Sequence, residues 1–279
     1  MENKKLPIGV FDSGLGGLTA LRKLKTIMPN EDIIYFGDTG RLPYGTRSEE
    51  TIKKYACDDM NFLLTNSVKA VLVACGTVSS TAITLLNDTF SVPIIGVVEP
   101  ACRQACNLSE SGKIAVLATP STISTCAFDK TIKSFREDAL VMGVGCPMFV
   151  PLVENGYIDN ENLVTTHIAA EYVSKLVCFN PDVIILGCTH YPIIKDIIKK
   201  CADDILGAGV KIVDSGSCAA FAVKDYLEKE KLANTSGGNV KYYVSDRPHD
   251  FSNIASLFLG EKVENATKIN IEDYFYSPS

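Results

Sequence analysis

Two stretches of this sequence, VLVACGT at residues 71–77 and VIILGCT at residues 183–189, decide the fold. In each stretch a run of β-branched and aliphatic residues leads to a cysteine, Cys75 or Cys188, with a threonine close behind. Such runs are typical of buried parallel strands, and a segment that reads as a helix start follows each one. Reactive groups of α/β proteins lie at the carboxyl ends of parallel strands, beside helix N-termini. We therefore expect both cysteines to be functional, one on each wall of a single cleft.

Strand-like runs alternate with helical patterns along the chain, which indicates βαβ units, parallel sheets and an α/β fold. The spacing repeats: Ile8 to Cys75 spans 67 residues, and Ile114 to Cys188 spans 74. This agreement, together with the matched cysteine turns, predicts an internal duplication. The predicted strands are IGVF (8–11), IIYFG (33–37), AVLVAC (70–75), PIIGVV (93–98), KIAVLA (113–118), ALVMG (139–143), DVIILGC (182–188), VKIVD (210–214) and VKYYVSDRP (240–248).

Helical spacing of apolar residues occurs between these strands, at residues 19–28, 48–66 and 161–178. Ser48 is expected to cap the second of these helices, because acidic residues follow it in the first turn. Pro192 suits the first turn of a further helix after Cys188.

Composition excludes several classes of protein. The chain has 279 residues and a net charge of −6, which argues against a nucleic-acid or anionic-membrane surface. No apolar run suits a signal peptide or a membrane-spanning helix, so we expect a cytoplasmic protein. Most of the ten cysteines are expected to be small buried hydrophobic residues. A zinc site at Cys102 and Cys106 is disfavoured because no histidine lies near them in sequence, and we expect no metal.

The cysteine turns carry further polar residues that suit acid–base chemistry. His190 follows Cys188 by two residues and could form a hydrogen bond or an ion pair with its thiol. Asp12 and Ser13 follow the first predicted strand, in FDSGLGG at 11–17. Asp12 could accept a hydrogen bond from a substrate ammonium or assist a thiol, and capping of the next helix is the alternative.

Three other segments are candidates for substrate contact. GDTGRLPYGTRS (37–48) has the length of a substrate loop and includes Tyr44 and Gly45, although a plain connection is the alternative. Thr119 and Thr122 offer two hydroxyls to a carboxylate, or cap a helix. The spacing around Glu154 leaves its role open.

In these motifs the chain resembles the glutamate racemases. The strings that carry the resemblance occur in the family's order over nearly the whole chain: FDSGLGGLT (11–19), YFGDTGRLPYGTRS (35–48), VACGT (73–77), CPMFVPLVENG (146–156), LGCTHYP (186–192) and VDSG (213–216). The resemblance implies interconversion of L- and D-glutamate without a cofactor, supplying D-glutamate for bacterial peptidoglycan. It also implies two doubly wound parallel-sheet α/β domains related by pseudo-twofold symmetry, with the active site in the interdomain cleft.

Site roles follow from the same resemblance. It implies that Cys75 and Cys188 are the two acid–base thiols and that Asp12 and His190 assist them. The residues that it implies for substrate binding are Asp12, Ser13, Tyr44, Gly45, Gly76, Thr77, Thr119, Thr122, Glu154, Thr189 and His190.

One residue departs from the family pattern. Gly76 stands where the family usually has asparagine, whose side-chain amide contacts substrate. Asparagine at this position could restore a missing contact, or the chain could be adapted to glycine; the sequence leaves both outcomes open.

The repeated halves predict two domains. We expect a first domain at residues 1–98 plus about 209–279, and a second at 99–208. Racemisation of aspartate or another amino acid is one alternative activity. A catalytically weak paralogue with a binding or regulatory role is another, although the presence of both cysteines, Asp12 and His190 speaks against it. The only partner expected is a small-molecule substrate, and the oligomeric state is left open, a homodimer included.

Overall fold

The computed structural model of the protein describes residues 2–247, 251–263 and 266–276. It contains ten strands: β1 Ile8–Asp12, β2 Ile33–Gly37, β3 Ala70–Val73, β4 Ile94–Gly96, β5 Lys113–Ala118, β6 Leu140–Gly145, β7 Val183–Leu186, β8 Lys211–Asp214, β9 Val240–Val244 and β10 Ala266–Lys268.

Twelve α-helices surround these strands in the described part of the chain. They are α1 Leu18–Ile27, α2 Glu49–Leu64, α3 Gly76–Thr81, α4 Ile83–Thr89, α5 Val98–Leu108, α6 Pro120–Ser124, α7 Ala127–Phe135, α8 Phe149–Glu154, α9 Leu163–Ser174, α10 Lys195–Leu206, α11 Ser215–Lys229 and α12 Phe251–Leu259. Short 3₁₀ helices occur at Glu2–Lys5, Tyr44–Thr46, Tyr191–Ile194 and Ile271–Tyr274.

The strands form two parallel sheets with the same internal order. One sheet has the order β10-β9-β2-β1-β3-β4 and the other has the order β6-β5-β7-β8. Four adjacent strands of the first sheet, β2-β1-β3-β4, which end at its β4 edge, therefore repeat the connectivity of the whole second sheet. All pairings are parallel. The shared strand order supports the internal duplication that the cysteine turns predicted.

The nine predicted strands all occur, with small changes at their ends. The strand runs predicted up to Cys75 and Cys188 end two residues earlier, at Val73 and Leu186, so each cysteine lies just beyond its strand. β10 was not predicted, because its sequence ATK has no apolar run. Ser48 caps α2 as expected, its hydroxyl accepting a hydrogen bond from the Thr51 amide.

The sequence analysis expected the chain to return to the first domain at about residue 209, but the next strand still belongs to the second sheet. β8 (211–214) pairs with β7 in the second sheet, where it takes the place that β4 has in the first. Only β9 and β10 rejoin the first sheet, with β9 pairing with β2. The helix between β8 and β9, α11, packs against α1 and α5, which follow strands of the first sheet.

The interior is continuous between the two halves. One hydrophobic cluster contains buried residues of both sheets, among them Val10 and Leu72 of the first and Leu117 and Leu186 of the second. Two further clusters cover the outer faces, one beneath α2 and one beneath α5 and α7. Burial of this apolar surface is the main force that holds the halves together.

A buried ion pair joins segments that are distant in sequence. Lys69 and Glu31 are both nearly inaccessible, and the Lys69 ammonium lies 2.5 Å from a Glu31 carboxylate oxygen. The ammonium also donates to the carbonyls of Lys4 and Leu232, at 2.8 and 3.0 Å. The second Glu31 oxygen accepts from the Asn234 amide at 2.7 Å. The pair therefore fastens the segment before β9 to the first sheet.

No helix in residues 2–247, 251–263 and 266–276 is both long enough and apolar enough to cross a membrane.

The Lys69–Glu31 pair leads to a stability prediction. Lys69→Met should lower the free energy of unfolding by about 3–5 kcal/mol, because it leaves the buried Glu31 carboxylate unpaired. Urea denaturation measures the loss. Lys53→Met, which removes an exposed helix pair with Glu49, is the matched control and should cost less than about 1 kcal/mol. Equal losses in the two variants would contradict a special role for the buried pair.

Candidate active site

The two cysteines occupy equivalent places at the carboxyl ends of their sheets. Cys75 follows β3 by two residues and is the N-cap residue of α3. Cys188 follows β7 by two residues and leads into the 3₁₀ helix at Tyr191–Ile194 and then α10. Cys75 is 5% exposed and Cys188 is 8% exposed, and both are free thiols.

The two cysteine turns face each other across the boundary between the sheets. A Cβ atom added to Gly76 would lie 2.2 Å from the carbonyl oxygen of Gly187 and 3.9 Å from the Cα of Cys188. Backbone therefore packs directly on backbone at this point. Because glycine has no side chain, position 76 can approach the Gly187 carbonyl this closely; any Cβ there would force one of the two turns to move.

A second glycine of the first half supports the Cys188 turn from another side. A Cβ on Gly16 would lie 2.3 Å from the Thr189 hydroxyl oxygen and 2.6 Å from the His190 ring. Thr19, at the start of α1, donates its hydroxyl to the Thr189 carbonyl at 2.9 Å. The missing side chain of Gly16 thus makes room for the opposite cysteine turn.

Cys75 has a hydroxyl and a carboxyl group as its neighbours. Its thiol donates to the Ser13 hydroxyl across 3.4 Å. Burial, together with the nearby Asp12 carboxylate, raises the pKa of the Cys75 thiol to about 12 against the opposing effect of its hydrogen bonds. Cys75 therefore carries its proton at neutral pH.

Asp12, at the end of β1, is almost completely buried. One oxygen accepts from the Gly14 amide at 3.1 Å, which is a local turn contact. Asp12 does not cap the next helix, because the N-cap residue of α1 is Gly17 and no side chain caps it. The other oxygen, Oδ1, accepts no hydrogen bond from the described residues. Burial raises the pKa of this carboxyl group, although His190 and the local amides favour its charged form.

Cys188 has a histidine as its neighbour, as the sequence suggested. The sulfur lies 3.9 Å from Nδ1 of His190, and Nε2 of the same ring lies 3.0 Å from a Glu154 oxygen. Burial lowers the pKa of His190, but the hydrogen bonds to Cys188 and Glu154 outweigh it and raise the pKa to about 10. The imidazole is therefore a cation at neutral pH. Phe258 of α12 packs edge-on against it, a contact for which the sequence has no signal.

Three threonine hydroxyls meet between the two halves. The Thr77 hydroxyl lies 3.4 Å from both the Thr119 and the Thr122 hydroxyl, which are 3.0 Å apart. Thr119 also caps α6, which is the alternative role that the sequence offered for it. Gly45 comes close to this group, because a Cβ added there would lie 3.9 Å from the Cβ of Thr119.

The structure turns Tyr44 away from this group. Its ring is buried, and its hydroxyl donates to Asp38 and also lies 3.2 Å from an Asp59 oxygen. The hydroxyl is therefore engaged elsewhere, and only the backbone next to Gly45 is left for a substrate. Glu154 lies at the edge of the site, with 41% of its side chain exposed.

Comparison with known proteins identifies relatives over most of the chain. A sequence profile described as Asp/Glu/Hydantoin racemase matches residues 16–223. The chain belongs to this family. Among its curated relatives is a glutamate racemase of Geobacter metallireducens, 40% identical over 268 residues, which are 95% of this chain and 97% of the relative. A glutamate racemase of Thermoanaerobacter pseudethanolicus is also 40% identical, over 96% of this chain and 98% of its own.

Solved structures of family members share the fold. Glutamate racemase from Francisella tularensis, in complex with D-glutamate, has a TM-score of 0.89 at 36% identity, covering 97% of this chain and 100% of that chain. The aspartate racemase of Picrophilus torridus has a TM-score of 0.57 at 11% identity, covering 82% of this chain and 99% of that chain, so its likeness concerns the fold alone. The two-sheet α/β architecture expected from the sequence is thus confirmed.

The Glu154–His190 contact predicts a pH-dependent stability. Glu154→Gln removes the carboxylate charge, so the pKa of His190 should fall. The raised pKa of His190 stabilises the fold fully below its ordinary value of 6.5, and this stabilisation disappears as the pH rises through about 10. Wild type should therefore be more stable than the variant at about pH 6 and lose that advantage by about pH 10.5.

Urea denaturation of both proteins across this pH range measures the difference. The matched control is Glu99→Gln, which removes an exposed carboxylate paired with Arg103 and should show no comparable pH dependence. A stability difference between wild type and Glu154→Gln that stays constant with pH would contradict the proposed ionisation of His190.

Proposed function

We propose that this protein interconverts L- and D-glutamate, with Cys75 and Cys188 as the two acid–base groups. The observation that carries the proposal is the meeting of the two cysteine turns, one from each repeated half. Curated relatives named glutamate racemase, 40% identical over 95% of this chain or more, support glutamate as the substrate.

The chemistry needs one base and one acid on opposite faces of the α-carbon. One sulfur, as thiolate, takes the α-proton, so the C–H bond breaks and its electron pair stays on carbon. The opposite thiol then gives its proton to the other face, forming the new C–H bond and becoming the thiolate. The thiol and thiolate have exchanged roles, and the reverse reaction can begin.

The charges around the two sulfurs suit this division. Cys75 is held protonated by burial and by Asp12, and is ready to donate. Cys188 lies beside the His190 cation, which stabilises negative charge on a neighbouring sulfur. We propose that Cys75 carries its proton in the resting enzyme. Asp12 and His190 thus assist the thiols by setting opposite charges at the two walls.

The polar groups between the halves would bind the substrate. We propose that the Thr77, Thr119 and Thr122 hydroxyls hold a substrate carboxylate, helped by Thr189 and by backbone at Gly45 and Gly76. Hydrogen bonds to the α-carboxylate would stabilise the carbanion that forms when the proton leaves. The buried Oδ1 of Asp12 is suited to accept from the substrate ammonium, and Ser13 lies next to it.

The wider role follows from the substrate. D-glutamate made by such an enzyme would serve peptidoglycan synthesis, in the cytoplasm and without a cofactor. We propose that each sheet is the centre of one domain, at about residues 1–98 with 215–279 and at 99–214, with the site between them.

The cysteine pair gives the first test of activity. Cys75→Ala and Cys188→Ala should each abolish racemisation of L-glutamate, because each face of the α-carbon needs its own acid or base. Cys75→Ser and Cys188→Ser should each racemise L-glutamate far more slowly than wild type, since a hydroxyl ionises far less readily than a thiol. The matched control is Cys178→Ala, at an exposed free cysteine, which should remain as active as wild type.

Circular dichroism of L-glutamate solutions measures the activity, with L-aspartate run alongside. Full activity in either alanine variant would refute the two-base proposal. Preference for aspartate would favour the alternative substrate. Inactivity of folded wild-type protein towards both amino acids would favour a binding or regulatory paralogue.

Gly76 gives a second test. Gly76→Asn introduces the family's usual residue, but its Cβ would meet the Gly187 carbonyl 2.2 Å away, so one turn must move by nearly an ångström. The structure thus favours adaptation to glycine over a missing contact. We expect kcat/KM for L-glutamate to fall about 100-fold, the size of effect that a misplacement of this order causes.

Gly145→Ala is the matched control, because its new Cβ would meet nothing nearer than 3.4 Å, and it should keep near wild-type kcat/KM. A lower KM for L-glutamate in Gly76→Asn would instead support the missing contact.

A further inference from the structure

A buried cluster of charged groups lies beneath the predicted substrate loop. Arg41 is at its centre, with 14% of its side chain exposed. Its guanidinium donates to Asp38 at 2.6 Å, to Asp58 at 2.8 Å and to Asp59 at 2.7 Å. The side chains of all three carboxylates are inaccessible to solvent. Tyr44 completes the cluster by donating to Asp38.

Arg41 is not free to bind a substrate carboxylate. Its three nitrogens are each directed at a different buried aspartate, and its planar group lies over the Tyr55 ring, 4.1 Å from the centroid. A role in binding an anion would require it to leave all of these contacts. Its function must therefore be exerted through the residues that it holds.

Those residues connect the loop to a helix and to the C-terminal segment. Asp38 belongs to the loop between β2 and α2, as do Arg41 and Tyr44, whereas Asp58 and Asp59 belong to α2. Asp58 also accepts the Tyr276 amide at 2.9 Å. The cluster thus fixes the loop at several points against elements of the first half.

The loop then reaches the second half at the next residue. Gly45 directly follows Tyr44 and lies against Thr119, one of the three threonines that meet between the halves. A displacement of Tyr44 would move Gly45 with it, because one peptide unit joins them. The buried cluster and the threonine group are therefore linked through Tyr44 and Gly45.

We propose that Arg41 is a positioning residue, which holds the loop at residues 38–48 so that Gly45 closes the substrate site against Thr119. The inference rests on the proposed function and deepens it. Arginine suits the task because its planar fork contacts three carboxylates at once, and lysine has no such geometry. Burial raises the pKa of Asp59, and the neighbouring Asp38 adds to the rise.

The test compares Arg41→Lys with Arg103→Lys, a charge-conserving change at an exposed arginine. A displaced loop weakens substrate binding, so KM for L-glutamate should rise about tenfold in Arg41→Lys with kcat changed less than about threefold. Arg103→Lys should match wild type in both constants. A fall in kcat at unchanged KM would indicate fewer folded molecules only, and would overturn the proposal.

Proteolysis provides a readout that does not need activity. Arg47 is an exposed trypsin site in the same loop. Loosening of the cluster should speed cleavage after Arg47 about tenfold in Arg41→Lys relative to wild type and to Arg103→Lys. If wild-type protein fails to racemise glutamate but cleavage after Arg47 is still faster in Arg41→Lys, the proposed function fails and the positioning role stands. Unchanged cleavage overturns the positioning role itself.

Tyr44→Phe is the second variant, and it keeps the proposal testable if Arg41→Lys does not fold. It removes only the hydroxyl that contacts Asp38 within the loop and Asp59 of α2. KM and the rate of cleavage after Arg47 should both rise, by about threefold. Wild-type values of both quantities in this variant would refute the link between the cluster and Gly45.

Discussion

Direct packing of backbone on backbone, Gly76 against the Gly187 carbonyl, is the constraint on which this structure depends. It allows the carboxyl ends of two sheets to meet so closely that Cys75 and Cys188 belong to one site. Gly16 and Thr19 hold the same turn from a second direction. Because the Gly187 carbonyl is a main-chain group, no change of rotamer can relieve a side chain added at position 76. The distance between the two cysteine turns therefore depends on the missing side chains of Gly76 and Gly16 as well as on the polar groups of the site.

The duplicated backbone carries groups of opposite character. Equivalent turns follow β3 and β7, yet a carboxyl group and a hydroxyl lie by one cysteine and an imidazole by the other. The half that carries Asp12 keeps its thiol protonated, whereas the half that carries His190 holds a positive charge next to its sulfur. Near-symmetry of the fold supplies matched positions, and asymmetry of the neighbours gives the two thiols different electrostatic surroundings.

The sequence predicts strands well and long-range contacts poorly. Runs such as VIIL and AVLV identify buried strands because each is apolar on both faces, and the cysteines after them could be found for the same reason. β10 has no such run and is visible only through its pairing with β9. The position of β8 in the second sheet depends on its partner β7. Likewise Arg41 and Tyr44 looked like loop residues, because their partners Asp58 and Asp59 lie on a helix whose pattern gives no sign of them.

The return of β9 to the first sheet has a consequence for synthesis on the ribosome. β2 pairs with β1 on one side and with β9 on the other, and Ile33 is aligned with Val240. The second edge of β2 therefore stays unpaired until some two hundred further residues, including the whole second sheet, have been made. An open strand edge is a template for wrong pairing with another chain. All four strands of the second sheet are therefore synthesised before the two strands that complete the first.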